Sequence, residues 1–157
     1  MISKNTKTKG ISLIEVVVGL AIIGSALVGL ISAYNAFLKT ALQNTKKIQS
    51  AYILEEGVEA IRSIRDKSWS NISGLASGLS YGLSFTNSVW ATTTTQFVGD
   101  GFYRRFEVFD VYRDANNDIA SSGTLSVGTK LFKVSVEYRE GVATTTKSVS
   151  FYLAEIF

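Results

Sequence analysis

KGISLIEVVVGLAIIG, residues 9–24, sets one carboxylate, Glu15, at the mouth of a long apolar run, five residues after Gly10. Ionisable groups in such segments are costly and face a partner, so Glu15 is a candidate functional residue whose partner has to be found. From Val16 to Leu38 no residue is charged, a run of 23, and apolar residues occur all round rather than in one stripe. At about 1.5 Å per residue, a helix of this length spans the roughly 30 Å hydrocarbon core of a bilayer. A buried helix of a water-soluble fold would be shorter and striped. A secretory signal peptide would have a shorter apolar part followed by an Ala-x-Ala cut; here the nearest small-x-small triplet, Gly24-Ser25-Ala26, lies inside the run.

Composition bounds the rest. The 157 residues suffice for one modest domain with an appendage, and a 46% hydrophobic content excludes a disordered chain. The net charge of +3 is carried by Lys4, Lys7 and Lys9, which precede Gly10, whereas all 13 acidic residues follow it. A product cut after Gly10 is formally neutral, so the basic isoelectric point does not by itself indicate a nucleic-acid partner. Cysteine and histidine are both absent, which removes disulfides, thiolate nucleophiles, most zinc sites and the usual proton shuttle near neutral pH. The sequence points away from catalysis, and no cofactor is implied.

A short basic leader ending in Gly10, then Ile11-Ser12-Leu13-Ile14-Glu15 and an unbroken apolar helix, resembles the amino-terminal signature of type IV pilins and the pseudopilins of type II secretion. Gly10, Leu13, Ile14 and Glu15 match that pattern. Ile11 stands where phenylalanine is commoner, and the proline usual further along the helix is missing, as the chain contains none. The resemblance covers about the first forty residues.

The resemblance implies cleavage between Gly10 and Ile11 by a prepilin peptidase, a membrane aspartic peptidase facing the cytoplasm, and methylation of the new amino group on Ile11. It also implies a stay in the bacterial cytoplasmic (inner) membrane as a single-pass protein. The lysines ahead of the run place the amino end in the cytoplasm. The subunit would then enter a filament at the cell surface. In this family the glutamate is thought to meet the positive amino terminus of a neighbouring subunit, so Glu15 would pair with Ile11 of another copy or a related pilin. Glu15, Leu13 and Ile14 are the expected assembly residues. The bland alternative is that Glu15 only favours the positive end of its own helix at the membrane interface. Gly24 lies where pilins often have a glycine in a stretch that can unwind on assembly, and close helix packing accounts equally well for Gly19, Gly24 and Gly29.

Beyond Leu38 the chain turns polar without a break. Ile48, Ala51, Leu54, Val58 and Ile61 recur at steps of three or four, which predicts one helix continuing to about Lys67 with a stripe for a sheet. Glu55, Glu56 and Glu59 precede Arg62, Arg65 and Lys67 at spacings that support an exposed helix face rather than an acid–base pair. Residues 68–101 are rich in Gly, Ser, Thr and Asn and read as a loop region with one or two short strands. Alternation predicts strands over 102–113, 131–140 and 145–153, with a hairpin at Glu140-Gly141.

The expected fold is α+β and pilin-like: a long amino-terminal helix, membrane-spanning in its first half, packed on a small antiparallel sheet. The expected divisions are a leader (1–10), a transmembrane and filament-core helix (11–38) and a periplasmic or extracellular globular domain (39–157).

Two further candidates lie in the globular part. RDANND, residues 113–118, gives Asp114, Asn116 and Asp118 the oxygen spacing of half a calcium loop, but Ile119 stands where such a loop needs Gly and Leu125 where it needs Glu. A polar turn is the simpler reading. Arg104-Arg105, Arg113 and Lys133, with Tyr103, Phe106 and Tyr112, could grip DNA or a surface by phosphate contact and stacking, although Glu107, Asp110 and Asp114 dilute the charge. The expected function is therefore a structural one, a minor pilin or pseudopilin. The alternatives are a pilus-associated subunit binding DNA or surfaces, and a simple membrane-anchored domain.

Overall fold

The computed structural model describes residue 10 and residues 12–156. Helix α1 (Leu13–Lys67) runs for 55 residues. The chain divides into two compact units, Met1–Gln43 and Asn44–Phe157.

In the first unit α1 is apolar on every side and its apolar side chains are exposed, from Leu13 and Ile14 through Leu30 and Phe37 to Leu42. It is long and apolar enough to cross a membrane, and none of its most apolar window is buried. Each such side chain left in water forgoes about 1.5–3 kcal/mol of burial, so the segment requires lipid or other apolar helices around it. Three hydroxyl residues within it are satisfied locally. Ser25 Oγ donates to the Ile22 carbonyl (2.9 Å), Ser32 Oγ to Val28 (2.8 Å) and Thr40 Oγ1 to Ala36 (3.0 Å), which is how hydroxyl residues are tolerated in hydrocarbon.

The second unit is α+β, with α1 from Asn44 onward packed on an antiparallel sheet. Helix α2 (Ser70–Ser73) and strands β1 (Ser80–Thr86), β2 (Val89–Thr93) and β3 (Phe97–Gly99) come first. Strands β4 (Phe102–Arg113), β5 (Ile119–Ala120), β6 (Thr124–Glu140) and β7 (Ala143–Ala154) follow. The sheet order is β2-β1-β4-β6-β7, with β3 and β5 also paired to β4. Strand β4 has the predicted bounds, and the three predicted strands are the adjacent β4, β6 and β7. Phe102, Phe106 and Val108 of β4 are buried on alternate positions, opposite Tyr138, Val134 and Phe132 of β6. Ile61, Ile64, Ile72 and Leu153 complete this core.

The expected stripe on α1 needs correction. Leu54, Val58 and Ile61 pack on the core as expected, but Ile48 and Ala51 are exposed, and the fully buried positions are Ser50, Gly57, Ala60, Ile61 and Ile64. Small residues let the helix backbone approach the sheet, a preference that hydrophobicity alone does not register. Gly57 is the tightest point: a Cβ there would lie 2.9 Å from Val134 Cγ1 and 3.0 Å from Arg104 Cδ. Gly57→Ala gains about 1 kcal/mol in helix propensity but forces overpacking that costs about 1–3 kcal/mol. A net loss of about 1 kcal/mol is expected, read as a lowered urea midpoint at unchanged slope; a raised midpoint would show that the helix has room to move.

The region read mainly as loop, 68–101, holds α2 and three short strands. Asn87 and Ser88 both have positive φ (52° and 62°) and close a two-residue turn between β1 and β2. That is the geometry whose twist matches paired strands, and Asn is among the residues that tolerate it. The β6–β7 hairpin also closes through two residues, Gly141 and Val142, between the paired Glu140 and Ala143, but there only Gly141 takes positive φ (68°).

Candidate functional site

The amino end of α1 is built by Ser12 and Glu15. The Ser12 carbonyl accepts from the N–H groups of Glu15 (3.0 Å) and Val16 (3.3 Å), which starts the helix. Glu15 Oε2 reaches back and accepts from the Ser12 N–H at 3.0 Å. This is the return half of a capping box, Ser-x-x-Glu, in which the third helical residue satisfies an orphan donor at the helix start. The Ser-x-x-Glu spacing is legible in the sequence as Ser12-Leu13-Ile14-Glu15. The carboxylate also faces the positive end of the helix dipole.

Glu15 Oε1 has no partner among the described residues. Leu13 is 83% exposed and Ile14 is exposed beside it, so this end of the helix presents one carboxylate oxygen and two bare apolar side chains. Gly10 is exposed. Ile11, the expected new amino terminus, and the leader before Gly10 lie outside the described residues.

The basic and aromatic candidates are not brought together. Alternation along β4 sends Arg104 toward α1 and Arg105 to the opposite face, so the two adjacent arginines cannot share a ligand. Arg104 is 3% exposed. Its NH1 donates to the Ile53 carbonyl and to Glu56 Oε2, both at 3.3 Å, and its guanidinium lies 5.4 Å from the Trp90 ring centroid. Burial pushes its pKa below the ordinary value, and the Glu56 carboxylate pushes back by charge and hydrogen bond. An arginine nevertheless stays charged.

Arg105 pairs with Glu137 at 3.3 Å, and Lys133 lies opposite Glu107 in the β4–β6 register. Phe106 is fully buried against Tyr81 and Phe132, whereas Tyr103 packs edge-on against Phe97. Arg113 donates to Ser126, to Thr129 and to the Asn117 carbonyl. Arg104, Arg105 and Arg113 are thus engaged by the fold, as a core arginine and in local hydrogen bonds and ion pairs, whereas Lys133 is exposed.

RDANND forms the turn between β4 and β5. Asp114 Oδ1 accepts from the N–H groups of Asn116 (2.8 Å) and Asp118 (3.0 Å), and Asn117 takes positive φ (66°). The carboxylate thus serves the backbone, as Asp does in an Asx turn. Among the described residues no group of three or more acidic, His or Cys side chains converges in a way that could hold a metal ion.

Fold and site together define an α+β chain with one candidate membrane-spanning helix, capped by its own glutamate. No family model, curated protein or solved structure matches the chain.

Proposed function

We propose that this chain is a structural subunit, a minor pilin or pseudopilin, of a type IV pilus or related filament. The observation that carries this reading is the placing of Glu15 in the first turn of a 55-residue helix whose first unit is apolar on all sides and bare. A membrane anchor alone needs no carboxylate there, and a filament core made of such helices uses one for register. On this reading a prepilin peptidase cuts between Gly10 and Ile11, and the amino group of Ile11 is methylated. The subunit waits in the inner membrane with its amino end in the cytoplasm, then joins other pilin subunits through its apolar helix. Its role is structural rather than catalytic.

A simple membrane-anchored domain is the second reading, favoured by the Ser12–Glu15 cap, which gives the carboxylate a use within its own chain. Shearing filaments from cells that make the tagged chain separates the two. Recovery of the chain in the sheared fraction, dependent on the peptidase, supports the filament role. Its retention in the membrane whether or not the peptidase is present supports the anchor.

A further inference from the structure

The turn after β4 builds a groove that none of the expected assembly residues touches. The β4–β6 register shifts between Asp110 and Tyr112, and the chain then returns as β5 against Tyr112 and Arg113. This return is braced from within. Arg113 NH1 holds the Asn117 carbonyl at 2.8 Å while its other nitrogens reach Ser126 and Thr129 at 3.3 Å. Gly123 (φ 141°) passes so close to the Arg113 carbonyl that a Cβ has no room. The wall is therefore formed before any ligand arrives.

Between this wall and the sheet lies a groove of about 470 Å³, lined by Asp110, Tyr112, Ile119, Ser121, Leu131 and Tyr152. That volume falls in the range of small-molecule sites, about 300–1,000 Å³. Tyr152 stands opposite Leu131 in the β6–β7 register and is 50% exposed; Tyr112 is 38% exposed. Lys130 is paired with Asp110 Oδ1 at 2.5 Å, so the charges cancel. Asp110 Oδ2, the Ser121 hydroxyl and both phenol hydroxyls make no hydrogen bond among the described residues.

We propose that this groove binds a neutral carbohydrate. Exposed tyrosine rings and the Leu131 and Ile119 side chains offer flat apolar surface to the C–H faces of a sugar ring. The Ser121 and phenol hydroxyls match its hydroxyl groups, and aromatic rings with a polar tip suit a ligand that is apolar on one face and wet on the other. A phosphate or nucleic acid would need a free cation, and Lys130 is already paired. A wholly apolar partner would bury the Ser121 and tyrosine hydroxyls without hydrogen bonds, at a cost. The proposal is independent of how the amino end is processed.

The test titrates the full chain, held in a zwitterionic detergent because glycosidic detergents would compete, and follows the tyrosine ring resonances by NMR. The probes are glucose, galactose, mannose and N-acetylglucosamine with their di- and trisaccharides. Saturable shifts of Tyr112 and Tyr152 with at least one probe are expected. Tyr152→Ala should weaken that binding roughly fivefold or more, Tyr152→Phe should retain most of it, and added salt should change it little. Unchanged melting temperatures in the variants verify the fold. No saturable shift with any probe, undiminished binding by Tyr152→Ala, or binding confined to inorganic phosphate and abolished by salt would each overturn the proposal.

Discussion

Glu15→Gln is expected to be cut after Gly10 at the normal rate and yet to be missing from filaments. Glutamine keeps a side-chain oxygen at the position from which Glu15 Oε2 accepts the Ser12 N–H, so the helix start survives. What is lost is the negative charge that would meet the amino group of a neighbouring subunit. Breaking a buried ion pair by removing one partner costs about 3–5 kcal/mol, which corresponds to a drop of roughly a hundredfold or more in the assembled fraction. The measurement is the ratio of subunit in sheared filaments to subunit in membrane, by immunoblot. Glu15→Ala, which loses cap and charge together, separates the two contributions. Wild-type levels of Glu15→Gln in filaments would leave Glu15 as a helix cap and nothing more.

Arg104→Ala is expected to destabilise the globular unit by about 3 kcal/mol. The substitution empties a site 3% exposed, removes the donor to the Ile53 carbonyl and takes the cation from beside Trp90. The figure sits at the low end of the range for a broken buried pair because Glu56, 49% exposed, recovers water when its partner goes. Arg104→Met fills the same volume without a buried charge and should stay within about 1.5 kcal/mol of the parent. The orphan Nε of Arg104, buried without a hydrogen bond, is a cost that methionine does not carry. Urea unfolding followed by tryptophan fluorescence measures both variants. Equal losses for alanine and methionine would mean that the ion pair, rather than the packing, holds the site together.

How far the sequence revealed this molecule differs from element to element. Strand β4 was legible to the residue because buried Phe102, Phe106 and Val108 alternate with polar or half-exposed neighbours. Strand β6 begins at Thr124, not at Leu131; the register jumps from Asp110–Lys130 to Tyr112–Leu125, so residues 126–129 have no register partner on β4, and the stretch that includes Ser126, Gly128 and Thr129 carries too little apolar signal to be read as strand. Strands β1 to β3 were obscured for a related reason. Their stability comes from the Asn87-Ser88 turn and from ring contacts such as Phe85 with Trp90 at 4.9 Å, within a background of Gly, Ser and Thr.

The site divides in the same way. Glu15 stood out because a carboxylate is conspicuous in an apolar run, whereas its bond to Ser12 needed a local motif to be recognised. Arg104 was misread because counting charges ignored the period of two that turns every second residue of β4 inward. Asp114 and its neighbours looked like half of a metal loop because the oxygens that serve a turn and those that serve calcium have the same spacing in sequence.

The most direct test of the filament account is the intact mass, with amino-terminal fragmentation, of the protein made together with a prepilin peptidase and extracted from the membrane. The account predicts a product that begins at Ile11 and carries a methyl group on its amino nitrogen. A full-length product beginning at Met1 would contradict it and leave a membrane-anchored domain whose Glu15 caps its own helix.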